Sequence, residues 1–155
     1  MVLNVAPAAH LPDHVFDGLD HLHVNESEAA LLTSIPADKV ETRRQEVADH
    51  FHSRGVKNVV ITMGEKGIFW SGALGGDKTK RISIIKCKAV DTTAAGDTFA
   101  AAYVVWLALH AEDIKGALHF ANRAAGLSVQ RHGAQDSMPF LSEVSESAKD
   151  GILLQ

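Results

Sequence analysis

The sequence has little of several features that mark special classes of protein. Its lone cysteine, Cys87, cannot form an intramolecular disulfide, so we expect a reducing, cytoplasmic environment. With 4 prolines in 155 residues, no low-complexity tract and no apolar stretch that could cross a bilayer, it should be globular, without a membrane partner. Its 15 basic and 19 acidic side chains form no block of one sign, which argues against nucleic acid as a partner.

Common nucleotide and metal fingerprints are absent as well. The chain has no G-x-x-x-x-G-K-[ST] segment, which excludes a P-loop nucleotide site. Gly64 and Gly67 lie between two apparent strands and lead into no helix, so they do not form a dinucleotide fingerprint. The 9 histidines come without cysteines or carboxylates in a recognised ligand pattern, and we expect no zinc site.

What the chain does have is the alternating pattern of an α/β protein. At 155 residues and 46% hydrophobic, it is long enough to bury one core, and we expect one compact unit. Glycine and the loss of apolar periodicity mark where the elements end. The predicted strands are residues 2–5, 22–24, 58–63, 68–70 and 81–85, with Cys87 in a strand-like run; the predicted helices are 12–19, 25–32, 37–53, 97–109 and 114–129, followed by a polar loop and a terminal helix.

Residues 89–99, Ala-Val-Asp-Thr-Thr-Ala-Ala-Gly-Asp-Thr-Phe, are the most informative segment. Small side chains before a helix allow an anion to approach the backbone, and the free N–H groups of a helix N-terminus bind it. Asp97 lies in the first turn of that helix, where a carboxylate can accept a proton from a nearby hydroxyl. An acidic residue in a first helical turn is also common in α/β proteins that have no such site.

This segment closely resembles the D-T-x-G-A-G-D signature of the ribokinase-like, or PfkB, family of sugar kinases, in its variant with alanine in place of the first glycine. The resemblance implies a Rossmann-like, three-layer α/β fold, with a mostly parallel sheet flanked by helices and a β-hairpin. It implies phosphoryl transfer from ATP to O5 of D-ribose or to a related acceptor. Asp97 would be the general base, and Ala94, Ala95 and Gly96 would form the anion hole.

Other segments resemble the family in the same chain order. Asn25-Glu-Ser-Glu28 is similar to its N-x-x-E motif, whose Glu28 would support Mg²⁺ indirectly. Residues 62–67 resemble its T-x-G-x-x-G nucleotide turn. The implied ATP-binding residues are Asn25, Thr62, Gly64, Glu65, Lys66, Gly67, Gly96 and Asn122. The implied K⁺ site consists of Asp91, Thr93, Ser128, Arg131, Gly133 and Ser137.

Each of these segments also has a purely structural explanation. Asn25 and Glu28 have the spacing of a helix capping box, and residues 62–67 fit an ordinary hairpin turn. Asn122 fits a helix-surface amide, and Arg131 a cation near a helix C-terminus. It is the agreement of all of them with one family, in order, that favours the kinase interpretation.

The chain departs from the family in length. A complete member is about twice as long, and the resemblance covers only its C-terminal half, without the lid and the glycine pair that contacts the sugar. Such a portion leaves one edge of a parallel sheet unpaired, so we expect a homo-oligomer or a complementing N-terminal half. A nucleotide-binding or interaction module without catalysis, or a related kinase acting on fructose or adenosine, are the alternative functions.

Overall fold

The computed structural model describes residues 1–72, 79–111 and 113–146. The chain groups into two compact units, residues 1–82 and residues 83–155. Most of the loop predicted at residues 72–76 lies outside the described residues, as does the predicted terminal helix beyond Glu146.

The first unit is built on a five-stranded sheet in which the strands follow their order in the chain. Strands β1 to β3 are parallel, while β4 and β5 turn back antiparallel as a hairpin and its extension. The strands are β1 (Val2–Asn4), β2 (His21–Asn25), β3 (Asn58–Thr62), β4 (Ile68–Gly72) and β5 (Thr79–Ile82). The sequence prediction of strands and hairpin is confirmed, except that β5 ends at Ile82 and no strand continues through Cys87.

Three α-helices, α1 (Glu26–Thr33), α2 (Ala37–Val40) and α3 (Arg44–His52), connect β2 to β3. The prediction of one helix over residues 37–53 is wrong, because a turn at residues 41–43 interrupts it. In that turn the Lys39 carbonyl accepts both the Arg43 N–H at 2.9 Å and the Thr42 hydroxyl at 3.0 Å. The helix predicted at 12–19 is reduced to a single 3-10 turn at Asp13–Val15, followed by Gly18 with a φ of 67°.

Alternation along the strands gives the sheet two different faces. Leu22, Val24, Val59 and Ile61 belong to one buried apolar cluster with Phe51 and other residues of the connecting helices. Because side chains alternate along a strand, the residues between them point to the other face. That face carries Asn4, His23 and Thr62 towards the carboxyl ends of β1, β2 and β3.

The second unit contains α4 (Ala95–Leu109), α5 (Ile114–Ser128) and α6 (Leu141–Glu146). Helices α4 and α5 pack through the Trp106 and Phe120 rings, whose centroids are 5.1 Å apart. Asp113 caps α5 by accepting the Gly116 N–H at 2.9 Å, and it also accepts the Trp106 indole N–H at 3.0 Å. Residues 83–90 run beside α5 without strand pairing, with the Cys87 thiol 3.5 Å from the Gly126 carbonyl.

Among the described residues, none of the helices combines the length and the apolar character needed to cross a bilayer.

Phe51 and Phe140 offer a matched test of where the stability of the fold resides. Phe51 is 0% exposed, with its ring 5.6 Å from that of Phe16, whereas Phe140 is 77% exposed. Phe51→Ala should lower the free energy of unfolding by about 3–5 kcal/mol, because it removes core contacts and leaves a cavity. Phe140→Ala should change it by less than about 0.5 kcal/mol in the same urea titration. Similar losses in both variants would contradict this assignment of the core.

Candidate active site

The N-terminus of α4 presents backbone N–H groups in an open position. Ala94 adopts a left-handed conformation, with φ of 60° and ψ of 10°, and its carbonyl accepts the Thr98 N–H at 2.8 Å. A Cβ built on Gly96 would meet nothing within 4 Å, so there is room beside the first turn. The first N–H groups of a helix have no intrahelical acceptor, and their dipole favours a negative charge. Of the predicted anion-hole residues Ala94, Ala95 and Gly96, Ala95 already donates its N–H to the Thr92 carbonyl at 3.2 Å, so the open groups of the first turn are the N–H groups of Gly96 and Asp97.

Asp97 is the third residue of α4, and its carboxylate is exposed. In contrast, the next two residues in sequence, Thr98 and Phe99, are buried in the second unit. The helix thus turns Asp97 to the outside at the same end where the free N–H groups lie. An exposed carboxylate beside an anion-binding backbone fits a base that acts on a hydroxyl next to a phosphoryl group.

The carboxylate of Asp91 holds the loop that leads into α4. Its Oδ1 accepts the Thr93 N–H at 2.9 Å, and its Oδ2 accepts the Gly133 N–H at 3.0 Å. The Thr93 side chain contributes most to lowering the pKa of Asp91, and the two backbone bonds lower it further, to about 2. On the backbone, the Val90 N–H donates to the Val129 carbonyl at 2.7 Å. Three of the six predicted K⁺-site residues, Asp91, Thr93 and Gly133, are therefore brought together.

The other three predicted K⁺-site residues have their side chains engaged elsewhere. The hydroxyls of Ser128 and Ser137 are fully buried, and each donates at 2.9 Å to the carbonyl three residues earlier. Arg131 forms an ion pair with both carboxylate oxygens of Glu143, and this pair lowers the pKa of the Glu143 carboxyl. Glu143 also accepts the Phe140 N–H at 2.7 Å. Arg131 thereby connects the polar loop to α6.

In the first unit, Asn25 and Glu28 form the capping box that their spacing suggests. The Asn25 Oδ1 accepts the Glu28 N–H at 2.9 Å, and the Glu28 Oε2 accepts the Asn25 N–H at 2.7 Å. Glu28 is also buried, at the carboxyl end of β2. The structural explanation of this motif is confirmed, and a magnesium role for Glu28 would be additional to it.

The predicted nucleotide turn connects β3 to β4. Its two glycines have positive φ angles, 52° at Gly64 and 99° at Gly67, which side chains with a Cβ rarely adopt. A 3-10 turn at Gly64–Lys66 is closed by the Met63 N–H, which donates to the Gly67 carbonyl at 2.9 Å. Thr62 ends β3, so the turn begins at the carboxyl edge of the parallel strands, where ligands of α/β sheets bind.

Sequence reasoning missed an ion-pair network beside this turn. Lys66 pairs with Glu26 at 2.8 Å, and Arg81 pairs with Glu41 at 2.9 Å. Arg81 also donates to the Lys66 carbonyl at 3.1 Å. The partners are 40 residues apart in sequence, so no local spacing signals them. Lys66, a predicted ATP-binding residue, is thus held by α1 through an exposed and individually weak pair, while Glu65 is exposed.

Asn122, the residue expected to contact adenine, lies on α5 and is buried. Its side-chain N–H donates to the Ser83 carbonyl at 2.9 Å. In this structure the amide therefore fixes residues 83–90 against α5. A contact between adenine and Asn122 would have to use the same side-chain amide that bonds to Ser83.

Among residues 1–72, 79–111 and 113–146, no three histidine, cysteine, aspartate or glutamate side chains are grouped so as to hold a metal ion.

Comparison with known proteins agrees with the predicted resemblance. The model of the family described as pfkB family carbohydrate kinase matches residues 1–141. A ribokinase of Staphylococcus aureus is 39% identical over 145 residues, which are 94% of this chain and 46% of the relative. The structure of Arabidopsis thaliana ribokinase complexed with ribose and ATP matches with a TM-score of 0.80 and 36% identity, over 94% of this chain and 46% of that one. The structure of a protein from E. coli in complex with ATP and Mg²⁺ matches with a TM-score of 0.75 and 25% identity, over 89% of this chain and 42% of that one.

The fold class expected from the sequence is confirmed by these structures. The chain spans about half the length of the curated relatives it matches.

The bonds of Asp91 predict a pH dependence. Its folded pKa of about 2 lies below the ordinary 3.8, so its contribution to stability is complete above about pH 4 and is lost as the pH falls towards 2. An asparagine at this position cannot accept both N–H bonds, so Asp91→Asn should lower the urea midpoint at pH 7. The difference from the wild-type chain should shrink between about pH 4 and pH 2.

Asp49→Asn is the control for this titration, because Asp49 is an exposed carboxyl that accepts from Gln45 within α3. A difference between wild-type and Asp91→Asn midpoints that stayed constant down to pH 2 would contradict the assigned bonds.

Proposed function

This chain belongs to the pfkB family of carbohydrate kinases, and we propose that it is the nucleotide-binding and catalytic portion of a ribokinase. In this proposal it transfers the γ-phosphoryl group of ATP to O5 of D-ribose. Family membership and 39% identity to a ribokinase support this substrate pair. The observation that carries the proposal is the exposed Asp97 carboxylate beside the open N-terminus of α4.

Asp97 acts as general base in the proposed reaction. The proton of the sugar hydroxyl moves to the Asp97 carboxylate, and the hydroxyl oxygen forms a bond to the γ-phosphorus. The bond between that phosphorus and the bridging oxygen breaks, and ADP leaves with the electron pair. The N–H groups of Gly96 and Asp97 stabilise the negative charge on the phosphoryl oxygens during the transfer.

The proposed nucleotide contacts come from the turn between β3 and β4, from Asn25 and from Asn122. Gly64 and Gly67 have positive φ angles and carry no side chain, so phosphate oxygens can approach the backbone at these two positions. Lys66 reaches the phosphates only by leaving the half-buried Glu26, and an ion pair at the surface is exchanged at small cost.

Glu28 fits a supporting role for Mg²⁺ better than direct coordination. Its Oε2 is committed to the Asn25 N–H, and the carboxyl group is buried, so a water-mediated contact suits it. When bound, Mg²⁺ would neutralise part of the phosphate charge. Glu28 contributes by holding the first turn of α1 in place through its capping box.

Asp91, Thr93 and Gly133 fit a K⁺ site in part. They converge, and the Asp91 carboxylate supplies the negative charge that a cation requires. The side chains of Ser128, Arg131 and Ser137 are bonded elsewhere, so their carbonyl oxygens are the groups they would offer. When bound, K⁺ would add positive charge beside the anion-binding loop.

A second candidate is a nucleotide-binding module without turnover of its own. The observation that favours it is that the chain covers 46% of the ribokinase relative.

An ADP-release assay separates the two candidates. The 155-residue chain is incubated with ATP, Mg²⁺ and ribose, fructose or adenosine, with and without K⁺, and ADP binding is measured by calorimetry in parallel. We expect ADP release with ribose, and faster release with K⁺. ADP binding without release for any acceptor would favour the module, whereas no nucleotide binding would contradict both.

Asp97→Asn tests the proposed base. Turnover should fall at least about 100-fold, because the base is lost, while ATP affinity should stay within about twofold. Asp38→Asn is the control, since this exposed carboxyl pairs with its sequence neighbour Lys39 in α2 and should leave turnover unchanged. Turnover of Asp97→Asn close to that of the wild-type chain would remove Asp97 from the role of base.

A further inference from the structure

A row of polar side chains crosses three parallel strands on one face of the sheet. The His23 Nδ1 in β2 lies 2.8 Å from the Asn4 Oδ1 in β1, and its Nε2 lies 3.3 Å from the Thr62 Oγ1 in β3. The strand register brings them together, because Asn4 is paired with His23, and His23 with Val60, two residues before Thr62. Both ring nitrogens therefore contact polar groups at the carboxyl edge of the sheet.

This row leads from the interior to the nucleotide turn. His23 is 4% exposed, and burial lowers the pKa of its imidazole to about 4, so the ring is neutral near pH 7. Thr62 is partly exposed and is the first residue of the T-x-G-x-x-G segment. The buried ring is thus directly behind the residue with which the turn begins.

A neutral imidazole has one donor nitrogen and one acceptor nitrogen, so its two bonds have coupled directions. The Asn4 Oδ1 can only accept, so Nδ1 carries the proton and donates to it, and Nε2 accepts from the Thr62 hydroxyl. The contact of that hydroxyl with the Val24 carbonyl is weaker, at 3.5 Å. The hydroxyl hydrogen of Thr62 therefore points at His23, and this bond fixes the Thr62 side chain at the start of the turn.

We propose that His23 is a positioning residue for nucleotide binding, which anchors the Thr62 side chain through this bond and so holds in place the start of the turn whose backbone would bind the polyphosphate of a nucleoside triphosphate. The proposal rests on the nucleotide site proposed above and adds a residue that the family motifs do not include. His23 acts through Thr62 and does not itself contact the ligand.

The asymmetry of the histidine ring gives a direct test. An asparagine amide can replace Nδ1 but does not reach as far as Nε2, whereas a glutamine amide can replace Nε2. His23→Asn and His23→Leu should each weaken ATP binding about 3- to 10-fold in calorimetry, the effect of losing one oriented hydrogen bond. His23→Gln should restore affinity to within about twofold of the wild-type chain. In a Thr62→Val background, His23→Asn should have no further effect on affinity.

His52 provides a matched control in the same unit. Its Nδ1 contacts the Val56 carbonyl at 2.8 Å and its Nε2 the Ser71 hydroxyl at 2.9 Å, away from the nucleotide turn. His52→Asn should lower the melting temperature without changing ATP affinity. An equal loss of affinity in His52→Asn, or unchanged affinity in both His23→Asn and His23→Leu, would overturn the positioning role and leave the nucleotide site intact.

Absence of ATP binding by the wild-type chain would overturn the proposed nucleotide site and this role together. If His23→Asn fails to fold, nitrogen NMR of the wild-type chain gives the decision. ATP should shift the Nε2 signal of His23 more than that of His52. An unshifted His23 signal in the presence of bound ATP would overturn the proposal.

Discussion

The two hydrogen bonds accepted by Asp91 are the constraint on which the proposed anion-binding loop depends. Residues 92–96 have small side chains, so the loop cannot be fixed by packing of its own. Asp91 connects its start to the Thr93 N–H and to the Gly133 N–H of the polar loop, while Val129 accepts two backbone N–H groups from the other side. The left-handed Ala94, a conformation of higher energy for a residue with a Cβ, persists because these bonds hold its surroundings.

The fold was predictable from the sequence where apolar patterning and glycine decide the local structure. Strand β3 and the hairpin after it follow from a buried apolar run and from Gly64 and Gly67. The prediction was wrong where contacts distant in sequence decide instead. A turn at residues 41–43 interrupts the helix expected over residues 37–53, and residues 83–90 bond to α5 rather than to a neighbouring strand.

The same distinction applies to the candidate site. The motif around Asp97 and the capping box of Asn25 are local, so the spacing of their residues along the chain is enough to indicate them. The ion pair of Lys66 with Glu26 and the contact of His23 with Thr62 join residues about 40 positions apart. Their existence depends on the parallel register of β2 and β3, which composition and periodicity do not specify.

A common principle applies to the proposed phosphate-binding segment of each unit. Segments that approach phosphate must be poor in side chains, and such segments have few means of fixing their own conformation. In the second unit, the residue that fixes the loop, Asp91, comes before it and bonds to its backbone. In the first unit, His23 contacts Thr62 from the neighbouring strand. Burial lowers the pKa of the His23 ring, so the ring stays neutral and has one donor and one acceptor nitrogen. Buried polar groups are costly unless they are satisfied, so a histidine in the sheet, where an apolar side chain would pack more simply, is best explained by the orientation it imposes on Thr62.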